Sequence, residues 1–323
     1  MPLDHYVSQV HLKNFYSPKL DGLMYAIRKS DLKKFPTKSQ DVCRIEDGST
    51  NAYLKENRVV EEFLKEVEPR YNSAVDNLRK RTLDEESIFS IAGFAAYVSA
   101  CSPTAMRLGS GPLQATVQST AGMLEKRGEI PPAPEALGGK LMSELLAEGV
   151  VKIKIDPKYP QAMGISNILY FASVFGNSIW DVLHNEHADS AFFSSDFPAA
   201  MEVVGLNSPI NRVVPLAPDV AIRIVPDLKL SDQPPELRFR KLRVAHKKLS
   251  RQEVLPLNRL IVRCADDLVF YRDELPWVGT FVTKNKDYRI ESITQTLPTE
   301  NGNYIIATHR VRAKGQSLTS FKV

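Results

Sequence analysis

Cysteine is scarce in this chain of 323 residues. The three cysteines, Cys43, Cys101 and Cys264, lie far apart and form no C-x-x-C pair. This spacing excludes a zinc ribbon and the disulfide framework of a small secreted domain. The polar N-terminus has no basic segment leading into an apolar one, so no secretory signal is predicted. We therefore expect the protein in the reducing cytoplasm.

The sequence also lacks the standard catalytic motifs. It contains no G-x-x-x-x-G-K-[ST], no G-x-G-x-x-G, no G-x-S-x-G and no H-E-x-x-H. The phosphate-loop, dinucleotide-binding, hydrolase-elbow and zinc-protease classes therefore lose the residues on which their chemistry depends. With 43% apolar and 25% charged residues, the composition is that of an ordinary globular protein.

Long apolar runs of the kind that span membranes are missing as well. Two stretches carry no charge, residues 87–106 and 161–180, but both contain many small or polar residues. A membrane span needs about 20 predominantly apolar residues. We predict that both stretches are helices buried in a globular core and that the protein has no stable membrane insertion.

Apolar periodicity predicts helices through the first half of the chain. A short opening helix is predicted over residues 5–16, and a strand over residues 23–28. Between residues 55 and 81, apolar residues recur every three to four positions, which predicts a long helix bent at Pro69. Further helices are predicted over three segments, 84–103, 113–127 and 134–148.

The second half of the chain predicts a small sheet. Short apolar runs ended by turn residues predict strands over residues 180–184, 191–195, 212–216 and 220–224. Helical spacing returns over two segments, 236–248 and 252–270. Asn301-Gly302, between two alternating segments, predicts a hairpin.

These elements predict an α+β fold: a mostly helical body with a small mixed sheet and a C-terminal β-hairpin. We predict one α+β domain over residues 1–275 that contains a helical insertion over residues 54–180. Residues 276–323 are predicted to form a C-terminal hairpin extension.

Positive charge is concentrated near the C-terminus. Residues 236–323 carry 17 Lys and Arg against 9 Asp and Glu, whereas the preceding residues carry a net charge of −4. The densest run contains seven cations, Arg238, Arg240, Lys241, Arg243, Lys247, Lys248 and Arg251. Such a run favours binding to the phosphates of a nucleic acid. The alternative is a solvated face of an amphipathic helix.

Three polar clusters are candidates for chemistry. His5 and Gln9 are one helical turn apart, so an imidazole suited to proton transfer lies beside an amide that can hold a water or substrate oxygen. Glutamates on the predicted long helix, Glu62 and Glu68 among them, are candidate ligands for a divalent metal ion, with solvated ion pairs as the alternative. Ser195 and Asp196 follow a predicted strand, and Asp196 is placed to orient an imidazole or bind a metal.

One further polar cluster, residues 184–189, concentrates two imidazoles and two carboxylates. These residue types can bind a metal, but they also collect in turns because they form local hydrogen bonds. The pattern favours a polar turn between two strands.

Five motifs in order resemble a known family. The chain begins His5-Tyr6-Val7-Ser8-Gln9 and continues to Leu12 and Phe15. The other four motifs are Val60-Glu61-Glu62-Phe63-Leu64 with Glu68, Phe193-Ser194-Ser195-Asp196-Phe197-Pro198, Val214-Pro215-Leu216-Ala217-Pro218 and Leu257-Asn258. Together they resemble a bacterial domain family of unknown function, DUF 4238, over residues 5–275. Ser8 stands where the family usually has Pro, and Phe197 where it usually has Asn.

The resemblance implies a set of functional residues but no activity. Its motif positions are His5, Gln9, Glu62, Glu68, Ser195, Asp196 and Asn258. We expect these polar residues, scattered over 250 positions, to converge on one site.

Two functions fit these observations. One is a nuclease acting on RNA or DNA, such as a toxin or phage-defence effector, in which His5 is the general acid or base. Gln9 and Asn258 would hold phosphate or water, and Asp196 with Glu62 or Glu68 would orient His5 or hold a divalent metal ion. The alternative is a non-catalytic module that binds nucleic acid or protein, whose polar residues form a structural buried network.

Overall fold

The N-terminal segment forms a strand before its helix. A computed structural model describes residues 3–205, 209–230, 233–299 and 302–315. The first elements are β1 (Leu3–His5), α1 (Gln9–Lys13), β2 (Met24–Arg28), β3 (Lys34–Thr37) and β4 (Arg44–Glu46). The helix predicted over residues 5–16 is therefore too long, because His5 pairs with Arg44 in an antiparallel ladder. His5 and Gln9 do not share a helix face, whereas the predicted strand is confirmed as β2.

A block of helices follows. It comprises α2 (Val59–Val67), α3 (Tyr71–Lys80), α4 (Glu85–Cys101), α5 (Pro103–Lys126), α6 (Met142–Ala147), α7 (Lys158–Ser166) and α8 (Ile168–Gly176). The bend predicted at Pro69 is confirmed, since one 3-10 turn, Glu68–Arg70, separates α2 from α3. Asp84 caps α4 by accepting a hydrogen bond from the Ser87 amide at 2.8 Å. Proline at position 103 ends this helix and begins the next, as expected of a residue tolerated in the first turn.

Two of the helical predictions need correction. The helix predicted over residues 113–127 begins earlier, at Pro103, and the one predicted over residues 134–148 is confined to α6 and a single turn. The first uncharged stretch forms α4, whose side chains are mostly buried, and the second forms parts of α7 and α8. Among the described residues, no single helix is long and apolar enough to cross a membrane, and the pair α4 and α5, which passes that test together, is bent by 56°.

The strands form two larger sheets. The remaining strands of the body are β5 (Ile179–His184), β6 (Ser194–Ser195), β7 (Ala200–Val203), β8 (Ile210–Ala217), β9 (Val220–Val225), β10 (Arg243–Lys248) and β11 (Leu268–Tyr271). One sheet has the strand order β10-β5-β9-β8-β7, with β10 parallel to β5 and its other pairs antiparallel. The other sheet has the order β3-β2-β11-β6 and is antiparallel.

The helix predicted over residues 236–248 is wrong. Phe239 has a φ of 53°, which a helix does not allow, and residues 243–248 pair along β5 as an edge strand. Tertiary pairing therefore overrides the local spacing. The next predicted helix is shorter than expected: α9 spans Arg251–Cys264, and the residues after it enter β11.

The C-terminal part packs against the body. It comprises α10 (Pro276–Thr283), β12 (Tyr288–Thr299) and β13 (Gly302–Ala313). The predicted hairpin is confirmed by the pairing of β12 with β13, although Asn301 lies outside the described residues. Arg107 of α5 donates a hydrogen bond to the Ile290 carbonyl at 2.7 Å. The ammonium of Lys29, which is 1% exposed, donates to the carbonyls of Val262 and Tyr288 at 2.9 and 2.8 Å. The α+β class is thus confirmed.

A polar network lies at the centre of the core. The imidazole of His11 is completely buried, with Nδ1 2.8 Å from Tyr71 Oη and Nε2 2.8 Å from Ser194 Oγ. The ring of Phe94 stacks on the imidazole at 4.6 Å. Burial lowers the pKa of His11 to about 3, so the neutral form is held at neutral pH. One side chain thereby connects α1, α3, α4 and β6.

This network predicts acid sensitivity. Below the ordinary imidazole pKa, the unfolded chain binds a proton that folded His11 excludes, so the free energy of unfolding falls by about 1.4 kcal/mol per pH unit. Urea unfolding at pH 7 and pH 5 measures this loss. His11→Gln should be less stable at pH 7, and its deficit relative to the wild type should shrink by about 2 kcal/mol at pH 5. His187→Gln is the control, and an unchanged deficit for His11→Gln would contradict the assignment.

Candidate functional site

Three of the predicted residues line one cleft. The strand β1, the start of α1 and the turn after α2 enclose a space of about 520 Å³. His5, Gln9 and Glu68 line it, together with Asp4 and Glu61. The convergence predicted for the whole polar set therefore holds for these three residues.

The backbone of His5 is fixed from two sides. It pairs with Arg44 in the β1–β4 ladder, and the buried hydroxyl of Tyr97 donates a hydrogen bond to its carbonyl oxygen. The imidazole Nε2 is buried and has no hydrogen-bond partner among the described residues. An imidazole nitrogen without a partner is costly to bury, and a ligand that reaches this atom would remove that cost by forming a hydrogen bond.

The two other predicted residues come from separate elements. Gln9 is the first residue of α1, and its Oε1 accepts a long hydrogen bond of 3.4 Å from Ser39 Oγ. Glu68 begins the 3-10 turn that Pro69 imposes, which directs the chain away from the axis of α2. No described residue forms a hydrogen bond or an ion pair with the Glu68 carboxylate. An amide and a carboxylate without a partner among the described residues thus line the same cleft as the imidazole.

Arg58 forms ion pairs with two other carboxylates of the cleft. Its guanidinium donates to Asp4 Oδ1 at 3.1 Å and forms a two-pronged contact with Glu61, in which Nε lies 2.9 Å from Oε2. The Ser49 amide also donates to Asp4, at 3.0 Å. Lys65, which also lines the cleft, forms its ion pair with Glu62, so Glu68 is the lining carboxylate that has no ion pair among the described residues. The pairing of Arg58 with Glu61, three residues later, is one of the ion pairs expected from the sequence as the alternative to a metal site.

Asp196 does not reach the cleft. Its buried carboxylate accepts hydrogen bonds from the amides of Asp266, Asp267 and Leu268 at 2.7 to 2.8 Å. Burial raises the pKa of Asp196 to about 6, although the three amides oppose this change. Its carboxylate lines a second cavity, of about 620 Å³, with Tyr6 and Asp266.

Ser195 and Asn258 are also bonded to backbone. Ser195 Oγ accepts from the Phe197 amide at 3.2 Å. Asn258 is buried, its Nδ2 donates to the Ala191 carbonyl at 2.9 Å, and its Oδ1 accepts from the Phe193 amide at 3.0 Å. Together with Asp196, these residues hold the buried segment 191–198 in place.

The predicted metal pair is not brought together. Glu62 is exposed, forms an ion pair with Lys65 at 2.6 Å, and lines a different cavity from Glu68. Within the described ranges, no group of three or more His, Cys, Asp or Glu side chains is arranged to hold a metal ion.

The predicted basic residues lie on and beside an exposed edge. All seven are exposed, and β10 is an edge strand of the five-stranded sheet. Lys247, Lys248 and Arg251 form ion pairs with Asp181, Glu186 and Asp189 at 2.8 to 2.9 Å. The other four, Arg238, Arg240, Lys241 and Arg243, form no ion pair within the described parts of the chain. Charge on an edge strand also hinders pairing with another sheet.

The bonding of Asp196 predicts a structural role for its carboxylate. Asp196→Asn turns an amide NH₂ toward backbone donors and leaves at least one of them unpaired, which should lower the free energy of unfolding by about 2 to 4 kcal/mol. Chemical denaturation at pH 7 measures the loss. The exposed Asp21→Asn is the matched control, and a stability of Asp196→Asn equal to that of the control would contradict the role.

Comparison with known proteins bears on the predicted family. No curated protein and no solved structure matches the chain at a significant level. One family model matches, over residues 4–274, and its description is "Protein of unknown function (DUF4238)". This range agrees with the resemblance found over residues 5–275. The chain therefore belongs to the DUF4238 family of proteins of unknown function.

Proposed function

We propose that this protein is a nuclease that cleaves RNA in the cleft formed by His5, Gln9 and Glu68. The observation that carries the proposal is that His5, whose buried Nε2 has no partner among the described residues, lines the same cleft as Glu68, whose carboxylate also has none there. Cleavage of RNA needs one group to take a proton and another to give one. An imidazole and a free carboxylate in one cleft can divide these two tasks.

The reaction follows from the 2′-hydroxyl of RNA. Glu68 accepts the proton of the 2′-hydroxyl, and the oxygen of that hydroxyl forms a bond to the adjacent phosphorus. The bond between phosphorus and the 5′-oxygen breaks, and protonated His5 gives its proton to the leaving oxygen. The products are a 2′,3′-cyclic phosphate and a free 5′-hydroxyl. Gln9 positions the phosphate through its side-chain N–H groups.

The basic residues of the edge strand supply the attraction for a polyanion. Arg238, Arg240, Lys241 and Arg243 are exposed and lack ion pairs among the described residues, so their charge is available to phosphates. The proposal requires an RNA strand long enough to reach from this edge strand to the His5 cleft.

A metal ion is not required by this chemistry. If a divalent ion takes part, Glu68 and the substrate phosphate are the ligands that the cleft offers it, since Arg58 occupies Asp4 and Glu61. The cytoplasm is the proposed location, because Cys43, Cys101 and Cys264 are buried free thiols.

The second candidate is a non-catalytic module that binds nucleic acid or protein. The observation that favours it is the bonding of Ser195, Asp196 and Asn258 to backbone groups, which is what a structural polar network requires. Under this alternative the His5 cleft has no reaction to perform, and RNA binds without being cut.

Cleavage of RNA tests the proposal directly. Purified protein is incubated with single-stranded RNA and with DNA of the same sequence, each with Mg²⁺ or with EDTA. We expect the RNA to be cut and the DNA to stay intact, both with Mg²⁺ and with EDTA. The RNA products should carry 2′,3′-cyclic phosphate ends. His5→Gln and Glu68→Gln should lower the rate by about 10²-fold or more, because each removes a proton carrier.

Matched variants separate lost chemistry from lost structure. The exposed Glu66→Gln should cleave at the wild-type rate, and all three variants should keep the wild-type melting temperature within about 2 °C. Intact RNA under every condition, or full activity of His5→Gln, would refute the nuclease. Cleavage that EDTA abolishes would assign the reaction to a bound metal ion.

A further inference from the structure

Another cavity lies at the end of β5, apart from the His5 cleft and from the cavity lined by Asp196. Its volume is about 400 Å³, and His184, His187 and Arg272 line it. A space of this size is in the range of small-ligand sites, which begin at about 300 Å³. The cavity coincides with residues 184–189, which form the polar turn expected from the sequence.

One imidazole that lines the cavity, His184, is hydrogen-bonded to a second imidazole outside the lining, His246. His184 comes from β5 and His246 from the parallel edge strand β10, and His184 Nε2 lies 2.8 Å from His246 Nδ1. Their rings stack with centroids 5.1 Å apart. A single N–H···N bond joins them, so one nitrogen donates and the other accepts. The pair can take up one further proton only at a nitrogen outside this bond.

The surroundings hold the pair neutral when the cavity is empty. Burial lowers the pKa of His184 and of His246, and the positive charge of Arg81 lowers both further. Two nearby carboxylates are already engaged: Glu186 by Lys248 at 2.8 Å, and Asp219 by Arg79 at 2.8 to 2.9 Å. The groups that face the pair are Arg79, Arg81, Glu186, His187, Asp219, Lys248 and Arg272. An anion that enters the cavity would therefore lie near cations. Its negative charge would also favour protonation of the imidazoles.

The His184–His246 hydrogen bond links the cavity to the basic strand. His246 lies between Arg243 and Lys247 on β10, so one strand supplies both exposed cations and a ring of the pair. Arg272 keeps guanidinium N–H groups beyond the one that donates to Asp273. Guanidinium and imidazolium donors together are suited to phosphate oxygens. An RNA strand held along β10 would bring a backbone phosphate to this point.

We propose that the cavity at the end of β5 binds a backbone phosphate of RNA and that the His184–His246 pair takes up a proton when the phosphate binds. The inference rests on the proposed function for its choice of ligand. It concerns binding and not cleavage, so the two can fail separately.

The test measures RNA binding against pH. A fluorescent 12-residue 2′-O-methyl oligouridine is used, because it cannot be cut by attack of the 2′-hydroxyl and its bases do not titrate in this range. Anisotropy at constant ionic strength should show binding about fivefold tighter at pH 5.5 than at pH 7.5, since protonation adds a charge beside the phosphate. His246→Gln should bind like the wild type within twofold at pH 7.5 and lose the gain at pH 5.5.

Two further variants keep the result interpretable. His309→Gln, in the hairpin, should retain the pH-dependent gain, and Arg272→Gln should weaken binding about fivefold at both pH values. A gain that persists in His246→Gln, or no binding by the wild type at either pH, would overturn the inference. Cleavage of unmodified RNA is measured in parallel. If RNA binds more tightly at pH 5.5 through His246 but stays intact, only the proposed nuclease activity is refuted. If RNA is cut while His246→Gln still binds more tightly at pH 5.5, only the proposed phosphate cavity is refuted.

Discussion

Segment 191–198 is buried throughout, and side chains from distant parts of the chain satisfy its polar groups. Asn258 of α9 bonds to its first and third residues, His11 of α1 bonds to Ser194, and Asp196 binds three amides in the loop between α9 and β11. Each unmade bond would leave a buried polar group without a partner, so these contacts must form together. They fix α1 against α9 and the antiparallel sheet.

This framework also fixes the cleft, although it does not line it. His11 anchors α1 in the core, and α1 begins at Gln9, which faces the cleft. The Tyr71 hydroxyl that contacts His11 comes from the first residue of α3, directly after the turn that carries Glu68. The contacts of the buried His11 imidazole thus help to position two residues of the cleft, Gln9 and Glu68. The polar residues of the family motifs therefore divide into a group that holds the fold and a group that faces a solvent-filled space.

The sequence predicts those features whose causes are local. The bend at Pro69, the start of a helix at Asp84 and the C-terminal hairpin each follow from a few neighbouring residues, and all three are confirmed. Features that depend on pairing between distant residues are not predicted by local sequence patterns. The strand β10 forms because β5, more than 60 residues earlier, accepts it as a parallel neighbour, and nothing in the spacing of the basic run indicates this.

The same limit applies to the site. The family resemblance points to His5, Gln9 and Glu68, and the structure places them in one cleft. It points equally to Asp196 and Asn258, whose partners are backbone groups that no sequence pattern reveals. His11 was missed, although it lies within the opening motif, because its partners Tyr71 and Ser194 are 60 and 183 residues away.

The central claim is that the His5 cleft receives the phosphate that reacts, while Asp196 and Asn258 hold the fold. The most direct test is a crystal structure of the protein with a 2′-O-methyl RNA tetranucleotide. We expect a phosphate within hydrogen-bond distance of the His5 imidazole and the Gln9 amide, with the bonds of Asp196 and Asn258 to backbone unchanged. A phosphate bound to Asp196 or Asn258 in place of those bonds, or a His5 cleft without RNA, would contradict it.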